Sequence, residues 1–434
     1  MVKNQKEVLE KLHISELNPM QKAVLAASKE NDNITLLSPT GSGKTLAFIL
    51  PLLERIDPKI RNTQALILVP SRELALQIEQ VIRQIGTGYK INALYGGRSV
   101  IKDKEDLLTP PVIVVGTPGR IADHFRNNRL SISDLEQLVL DEFDKSLEIG
   151  FENDLTFIID QLDHLRYRTL TSATTDQQIP MFVGHENEME INYLDNNSKS
   201  KLTTVMVEAT QTGKLQVLKE LIEQNSPNNG IVFCNFRDSI QVVSSFLEKN
   251  KIPHSCFYGG MEQKDRERAL IKFRNGSTSI LLATDLAARG IDIPELKYII
   301  HFELPIKLEE FTHRNGRTAR VDKSGIAYVL KAKTKALPDF MPQLDRAKVK
   351  GGKVLKPTFY STLFISGGRK DKISKGDIAG MFFKQGNLSK DELGTIELKS
   401  DCAFAAVPRT KVKNLIAKLN NTKIKKRKIR LYEI

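Results

Sequence analysis

Two short blocks carry the chemistry legible in this chain. Ser38-Pro39-Thr40-Gly41-Ser42-Gly43-Lys44-Thr45 is a glycine-rich turn between an apolar run and a helical pattern. In such a turn, backbone N–H groups and the Lys44 ammonium can cradle a chain of phosphates, with the Thr45 hydroxyl ligating Mg²⁺. Asp141-Glu142-Phe143-Asp144 follows the apolar run Leu138-Val139-Leu140, which delivers its carboxylates at the C-terminal end of a buried strand. With Asp141 on the metal side, Glu142 is the candidate general base. Together the blocks describe an ATPase whose phosphate-binding residues are Ser38, Thr40, Gly41, Ser42, Gly43, Lys44 and Thr45. Ser38 stands where the usual phosphate loop begins with Gly.

Strands and helices must hold these blocks in place. Short apolar runs recur at 34–37, 65–69, 91–95, 112–115, 138–140 and 168–170, with helical patterns between them, as at 46–55 and 72–85. Such alternation marks a parallel sheet covered on both faces. The pattern restarts after Lys201, with strands expected at 230–233, 255–258, 279–283, 298–302 and 326–330. A Lys-rich, Pro-punctuated stretch with one short helical pattern then runs from 331 to 357. The last 75 residues or so change rhythm: strand 362–365, helix 375–383, strands 395–398 and 402–407, helix 410–419 and strand 428–432. That β-α-β-β-α-β order is the split βαβ arrangement of small RNA-recognition modules.

The 434 residues carry a net charge of +13, distributed unevenly. Residues 351–434 hold 19 Lys and Arg against 7 Asp and Glu, so they account for +12 of the total. A nearly neutral engine with a basic appendage points to a polyanionic partner. The N-terminus has no apolar signal-peptide core and no run approaches the roughly 20 residues a membrane span needs, so the expectation is a cytoplasmic protein with no membrane partner. Cys234, Cys256 and Cys402 are too scattered for a metal site or a disulfide framework and read as small buried residues in a reducing compartment.

Further motifs occur in a fixed order: Pro70-Ser71-Arg72-Glu73-Leu74-Ala75, Gly96-Gly97, Thr117-Pro118-Gly119-Arg120, Ser172-Ala173-Thr174, Gln263-Lys264-Asp265-Arg266, Ala283-Thr284-Asp285, Arg289-Gly290-Ile291-Asp292, and His313-Arg314-Asn315-Gly316-Arg317-Thr318-Ala319-Arg320. With the first two blocks, this series over residues 12–330 resembles the DEAD-box helicases of superfamily 2, with Phe143 in place of the usual Ala. The resemblance implies an α/β fold of two tandem RecA-like parallel-sheet domains (residues 1–200 and 201–335), a linker at 336–360 and a small α+β RRM-like domain at 361–434. It implies ATP and Mg²⁺ as cofactors and makes Arg317 and Arg320 arginine fingers supplied by the second domain. Asp292 would contact the nucleotide, while Ser172 and Thr174, supported by His313, would couple the carboxylates to RNA. Arg72, Gly97, Thr117, Gly119, Arg120, Gln263, Arg266 and Thr284 would line the RNA groove, where glycines allow close approach and cations and hydroxyls meet phosphate oxygens.

Gln21 is the family's adenine reader, and its side-chain amide suits the donor–acceptor edge of that base. Ile14 and Leu17 replace the usual aromatic and Pro around it, and the first aromatic of the chain is Phe48, so no upstream ring is present to stack on adenine. Phe143 has two readings: a tolerated apolar replacement behind the catalytic face, which is favoured, or a repacking of the coupling between the carboxylates and Ser172–Thr174 that shifts the ATPase rate.

The basic end resembles the module that closes DbpA-type DEAD-box proteins, on Thr362-Leu363-Phe364-Ile365-Ser366-Gly367-Gly368-Arg369-Lys370-Asp371-Lys372-Ile373, Gly376-Asp377-Ile378 and residues 423–430. Phe364 and Phe404 fall where such modules stack bases, and Cys402 replaces a third ring. With so few rings, Arg369, Lys370, Lys372, Lys425, Lys426, Arg427 and Lys428 are the expected RNA contacts. The resemblance implies an ATP-dependent RNA helicase acting as a monomer on a structured 23S rRNA hairpin in the pre-ribosomal large subunit. A general RNA chaperone or cold-stress helicase, and an ATP-gated RNA clamp, are the alternatives.

Overall fold

The structure, a computed structural model, describes residues 5–39, 41–174, 179–184, 186–194, 202–210, 213–285, 296–318, 324–349 and 355–434. The chain divides into two compact units, essentially residues 1–200 and 201–434. Thr40, Asp292 and Arg320, named above as site residues, lie outside the described residues.

The first unit is built on seven strands, β1 (Asn33–Leu37), β2 (Ala65–Leu68), β3 (Ile91–Leu94), β4 (Ile113–Gly116), β5 (Gln137–Leu140), β6 (Tyr167–Ser172) and β7 (Met189–Asn192). They form one sheet in the order β3-β4-β2-β5-β6-β1-β7, and every pair is parallel. Because successive strand residues face opposite ways, β2 feeds two cores. Ala65 and Ile67 pack with Phe48, Ile78 and Ile113 on one face, and Leu66 and Leu68 with Ile121, Leu140 and Ile158 on the other. Burial on both faces explains why these strands read as unbroken apolar runs rather than alternating ones.

The second unit repeats this plan. Strands β8 (Leu202–Ala209), β9 (Gly230–Phe233), β10 (Ser255–Phe257), β11 (Ile280–Ala283), β12 (Tyr298–His301), β13 (Gly325–Ala332) and β14 (Asp345–Arg346) lie in the order β10-β11-β9-β12-β13-β8-β14. Strand for strand this is the order of the first sheet. Three of these fourteen strands escaped the sequence reading: β7, β8 and β14, the sheet-edge or near-edge members. Their polar content, as in Met189-Glu190-Ile191-Asn192, conceals them. The helical pattern expected between 331 and 357 is corrected here: no helix forms among the described residues of that stretch, and β14 pairs there with β8.

A second, antiparallel sheet within this unit consists of β15 (Tyr360–Ile365), β16 (Ile396–Leu398), β17 (Ala403–Pro408) and β20 (Leu431–Glu433), in the order β16-β17-β15-β20. Helices Lys375–Lys384 and Val412–Leu419 cover one face, with Leu363, Ile365, Ile378, Phe382, Ala405 and Leu415 in the core. The expected closing strand at 428–432 is corrected. Lys423–Ile424 (β18) and Arg427–Lys428 (β19) pair as a tight hairpin before β20 closes the sheet. Lys425 sits in the turn at φ 52°. Four consecutive cations have no apolar face to bury, and they are turned out into solvent.

Candidate active site

The strand ends gather the candidate residues. Ser38 follows β1, Pro70 follows β2, Tyr95 follows β3, Thr117 follows β4, Asp141 follows β5 and Ser172 ends β6, so all lie at the C-terminal edge of one parallel sheet. That edge is where open α/β sheets bind ligands.

The phosphate loop is shaped by its glycines. Gly41 and Gly43 hold φ of 84° and 93°, a left-handed region that costs glycine nothing. A Cβ on Gly43 would lie 2.6 Å from Gln21 Nε2. Helix Lys44–Glu54 starts directly after Gly43, so its N-terminal dipole points into the loop. Lys44, only 7% exposed, donates from Nζ to the Ser38 carbonyl at 2.6 Å, and the Ser38 hydroxyl donates to Ser42 Oγ at 2.7 Å.

Gln21 does more than the sequence reading assigned it. Asn18 and Gln21 form a capping box at the start of helix Pro19–Ala27, with Asn18 N–H donating to Gln21 Oε1 at 3.0 Å. From there Gln21 Nε2 donates to the Gly43 carbonyl at 3.1 Å and Asn18 Nδ2 to the Ser42 carbonyl at 2.9 Å. The pair braces the loop from below. Asn18 was not singled out from sequence, although its place before Pro19 is a cap signature.

The carboxylates stand on a strained corner. Glu142 adopts φ 50°, ψ 50° between β5 and helix Phe143–Glu148, a conformation that costs a non-glycine residue roughly 1–3 kcal/mol and clusters at functional sites. Asp141 is 3% exposed. Burial pushes its carboxyl above the usual range, against the Thr171 hydrogen bond and the Lys44 charge, which both favour ionisation. Thr171 Oγ1 donates to Asp141 Oδ1 at 2.5 Å and accepts from the Glu142 N–H at 3.2 Å. Register explains this: Leu140 pairs with Leu170, so Thr171 stands opposite Asp141. Thr171 was missed because strand pairing is not written in one strand. Ser172 Oγ donates to the Thr174 carbonyl at 2.8 Å and accepts from its N–H at 3.0 Å, while Thr174 Oγ1 reaches Asp144 at 3.5 Å. Phe143, 4% exposed, is packed into the core with Leu140, Leu155 and Leu170. A buried lysine and a buried carboxyl whose charged form lacks solvation suit a triphosphate with a divalent cation, for which Thr45 and Asp141 are the ligands on hand.

Arg72, Gly97, Thr117 and Gly119 line the same edge. Arg72 opens helix Arg72–Ile85, and a Cβ on Gly97 would come within 2.5 Å of its Nη1, so the guanidinium lies directly over a bare backbone. Arg120 is held inward. Its Nε and Nη2 donate to Asp103 Oδ2 at 2.8 and 2.6 Å and its Nη2 also to the Arg98 carbonyl at 3.1 Å. Asp103, with no exposure, also meets Arg98 at 3.1 Å and His124 at 3.1 Å. Burial alone would raise its carboxyl, but the His124, Arg120 and Arg98 contacts outweigh it and hold the group below the usual range.

In the second unit, Arg314 is 1% exposed. It forks onto Asp285, with Nε donating at 2.7 Å, and also donates to the Glu303 carbonyl and Asn235 Oδ1, both at 2.8 Å. Its neighbour His301 is pushed down to about 3, chiefly by burial and then by the Arg314 charge, and stays neutral. Around this anchor, His313 is 7% and Arg317 4% exposed. Thr284 follows β11, and Gln263 and Arg266 occupy the first turns of helix Gln263–Arg274, with the Arg266 guanidinium 4.7 Å from the Phe257 ring.

In the C-terminal sheet, Phe364 stacks on Tyr432 at 4.7 Å and meets Phe404 edge-on at 5.5 Å. Tyr432 is a third ring on this sheet face that was not singled out, although it ends the strand expected at 428–432. Arg369, Lys370, Lys372 and Lys425 to Lys428 are all exposed. Lys425 donates to the Lys372 carbonyl at 2.6 Å and pairs with Asp377 at 2.8 Å, which joins the two basic loops.

A duplicated parallel-sheet core with a phosphate loop, paired carboxylates and an appended split βαβ module defines a two-unit nucleoside triphosphatase with a nucleic-acid-binding domain. The DEAD/DEAH box helicase family matches residues 18–182, the helicase conserved C-terminal domain 213–322 and the DbpA RNA binding domain 362–433. The ATP-dependent RNA helicase DbpA of Escherichia coli K12 is 32% identical over 94% of this chain and 92% of its own length. Its Bacillus subtilis 168 namesake is 30% identical over 98% and 96%. Among solved structures, S. cerevisiae Dbp5 bound to RNA and ADP BeF3 superposes with a TM-score of 0.68 at 25% identity, over 77% of this chain and 89% of that one. Mss116p bound to ssRNA and AMP-PNP gives 0.67 at 26%, over 76% and 73%. The chain belongs to the DEAD-box ATP-dependent RNA helicases, and within them to the DbpA type. Its enzyme class is that of an RNA-dependent ATPase.

Proposed function

We propose that this protein spends ATP to open or remodel short helices in structured RNA, and that its address is a 23S rRNA hairpin in the assembling large ribosomal subunit. The observation that carries the ATPase half is the meeting of Lys44, Asp141 and the strained Glu142 at one sheet edge. The address rests on the +12 charge of residues 351–434 and on the match to the DbpA RNA binding domain.

In this reading Lys44 exchanges the Ser38 carbonyl for the β- and γ-phosphates, while Gln21 reads adenine and holds the loop. Thr45 and Asp141 would hold Mg²⁺, which when bound would neutralise charge on the phosphates. Glu142 orients the attacking water and accepts its proton. Arg317 and Arg320, with Asp292, complete the site from the second unit only when RNA engages both units. Hydrolysis is thereby conditional on RNA. Arg72, Gly97, Thr117 and Gly119 in one unit and Gln263, Arg266 and Thr284 in the other grip the sugar-phosphate chain, so the groove itself is indifferent to sequence. Arg120 serves as a brace for the groove loops. Domain limits at 200/201, 335/336 and 360/361, a cytoplasmic location and a monomeric state belong to the same reading. Among the described residues no helix is long and apolar enough to cross a membrane.

The test is strand displacement from a short RNA duplex placed beside the ribosomal hairpin. ATP should release the strand and ADP should not. Absence of ATP-dependent release would refute the helicase assignment.

A further inference from the structure

The edge of the first sheet beside the carboxylate corner encloses space that the chain does not fill. On one face of β1 and β7, Ile34, Leu36 and Ile191 pack with Met20, Val24 and Ala47. On the other face Leu170, Thr35 and Glu190 stand abreast across β6, β1 and β7. Between β6 and β7 the described residues hold no α-helix, only the 3-10 turn Met181–Val183. A cavity of about 570 Å³ lies against this face, within the range of small-molecule sites.

The cavity is graded from inside to outside. Phe143, Asp144, Leu170 and Thr171, each 4% exposed or less, form its buried wall. Glu186, Glu188 and Glu190, all exposed, form its rim. Leu37, Ile179 and Pro180 add apolar surface, and no Lys, Arg or His is among the described residues that line it. Asp144 carries the most telling feature. Its Oδ2 lies 3.5 Å from the Thr174 hydroxyl and 3.4 Å from Lys145 Nζ, and Lys145 is shared with Glu148 at 2.7 Å. Its Oδ1 is buried with no hydrogen-bond partner, a costly state that a ligand's donor would relieve.

The carboxylates do not converge on a point. Among the described residues no three His, Cys, Asp or Glu side chains are placed to hold a metal ion. Spread along β7 and inward to Asp144, they suit an extended organic cation with nitrogen at both ends and a hydrocarbon stem between. The two strand spacings from β7 to β6 amount to about 10 Å, the reach of a linear triamine.

We propose that this cavity is a binding site for a linear aliphatic polyamine, one ammonium donating to Asp144 Oδ1 and another meeting the rim glutamates. Its stem lies on Leu37, Leu170 and Ile179. Ser172 and Thr174 belong to the same wall, so an occupant competes with Thr174 for Asp144 and loosens the link between the carboxylate corner and the Ser172–Thr174 turn. The amine thereby lowers RNA-stimulated turnover without competing for the phosphate loop. This second effect rests on the coupling role proposed for Ser172 and Thr174; binding itself does not.

The experiment titrates spermidine into the full-length protein, free of nucleotide and RNA, by isothermal calorimetry. A protein of net charge +13 offers small cations no general attraction, so a single saturable event reports a local site. The singly charged 1-aminobutane should bind at least about fivefold more weakly. The combined Glu186→Gln, Glu188→Gln and Glu190→Gln variant should lose at least about fivefold in spermidine affinity, and so should Asp144→Asn. Circular dichroism checks that each variant is folded. No saturable binding, or a smaller loss in the triple variant, would overturn the site. With saturating ATP and RNA, spermidine should at least halve native turnover and leave the ATP concentration for half-maximal rate unchanged. The triple variant should match native turnover without the amine and resist it when added. Equal inhibition of both proteins would place the amine on the RNA and overturn the regulatory effect. Turnover that RNA fails to stimulate even without amine would instead sink the proposed helicase function and leave the binding result standing.

Discussion

At the residue scale, the Asp141–Glu142 corner carries two local costs, a buried carboxyl and a left-handed backbone. Asp141 is buried with its carboxyl held above the usual range, first by desolvation. A carboxyl raised in the folded state favours folding fully below its unfolded value and loses that advantage as pH rises through its folded value. Asp141→Asn should therefore melt higher than the native protein at neutral pH without nucleotide, by about 2–4 °C if the gain is near 1 kcal/mol. The difference should vanish in acid, and turnover should be abolished. An unchanged melting temperature at neutral pH would mean that the burial costs nothing. Thr171 orients the same carboxylate, and Thr171→Val should raise the Mg²⁺ concentration needed for half-maximal activity by about 10–100-fold. Saturating Mg²⁺ should recover much of the rate; a loss that Mg²⁺ does not touch would deny the positioning role. Glu142→Gln should keep ATP binding and trap RNA tightly, and unchanged turnover in that variant would remove Glu142 as the base.

At the level of elements, a charged cluster lies beneath the loops that follow β3 and β4. Asp103 gathers Arg98, Arg120 and His124 between helices Val100–Leu107 and Pro118–Arg126. Removing one partner of a buried ion network leaves uncompensated charge and typically costs about 3–5 kcal/mol. Asp103→Ala should destabilise the first unit by that order in denaturant melts, and a loss below about 1 kcal/mol would contradict the brace. Elements were also where the sequence was most and least legible. The central strands and helix Arg72–Ile85 could be read directly, because two-sided burial and a Ser71 cap leave strong local signatures. Edge strands β7 and β14 could not, since all their residues but Ile191 are exposed and leave no apolar run. Thr171 and Asp103 escaped for another reason: their roles come from strand register and helix packing, which no local pattern records. Lys44, Asp141 and Glu142 were legible because their chemistry lies in contiguous motifs.

For the whole molecule, duplication explains the architecture. Two sheets share one strand order; the edge of the first carries Ser38, Lys44 and Asp141, and the second unit carries the Arg314 anchor and its neighbours. The basic module adds the charge that neither sheet carries. If Lys425, Lys426, Arg427 and Lys428 meet phosphates, replacing all of them with Ala should weaken hairpin binding and flatten its log–log salt dependence by about 3. An unaltered salt slope would place the RNA elsewhere on the module.

The central claim is that this engine is switched on by RNA and addressed by its C-terminal module. Its most direct test is ATP turnover by the full-length protein, titrated with the ribosomal hairpin and with an unrelated stem-loop of equal length. The account predicts low turnover without RNA and half-maximal stimulation at a concentration at least tenfold lower for the ribosomal hairpin. Superimposable titrations, or turnover indifferent to both RNAs, would contradict it.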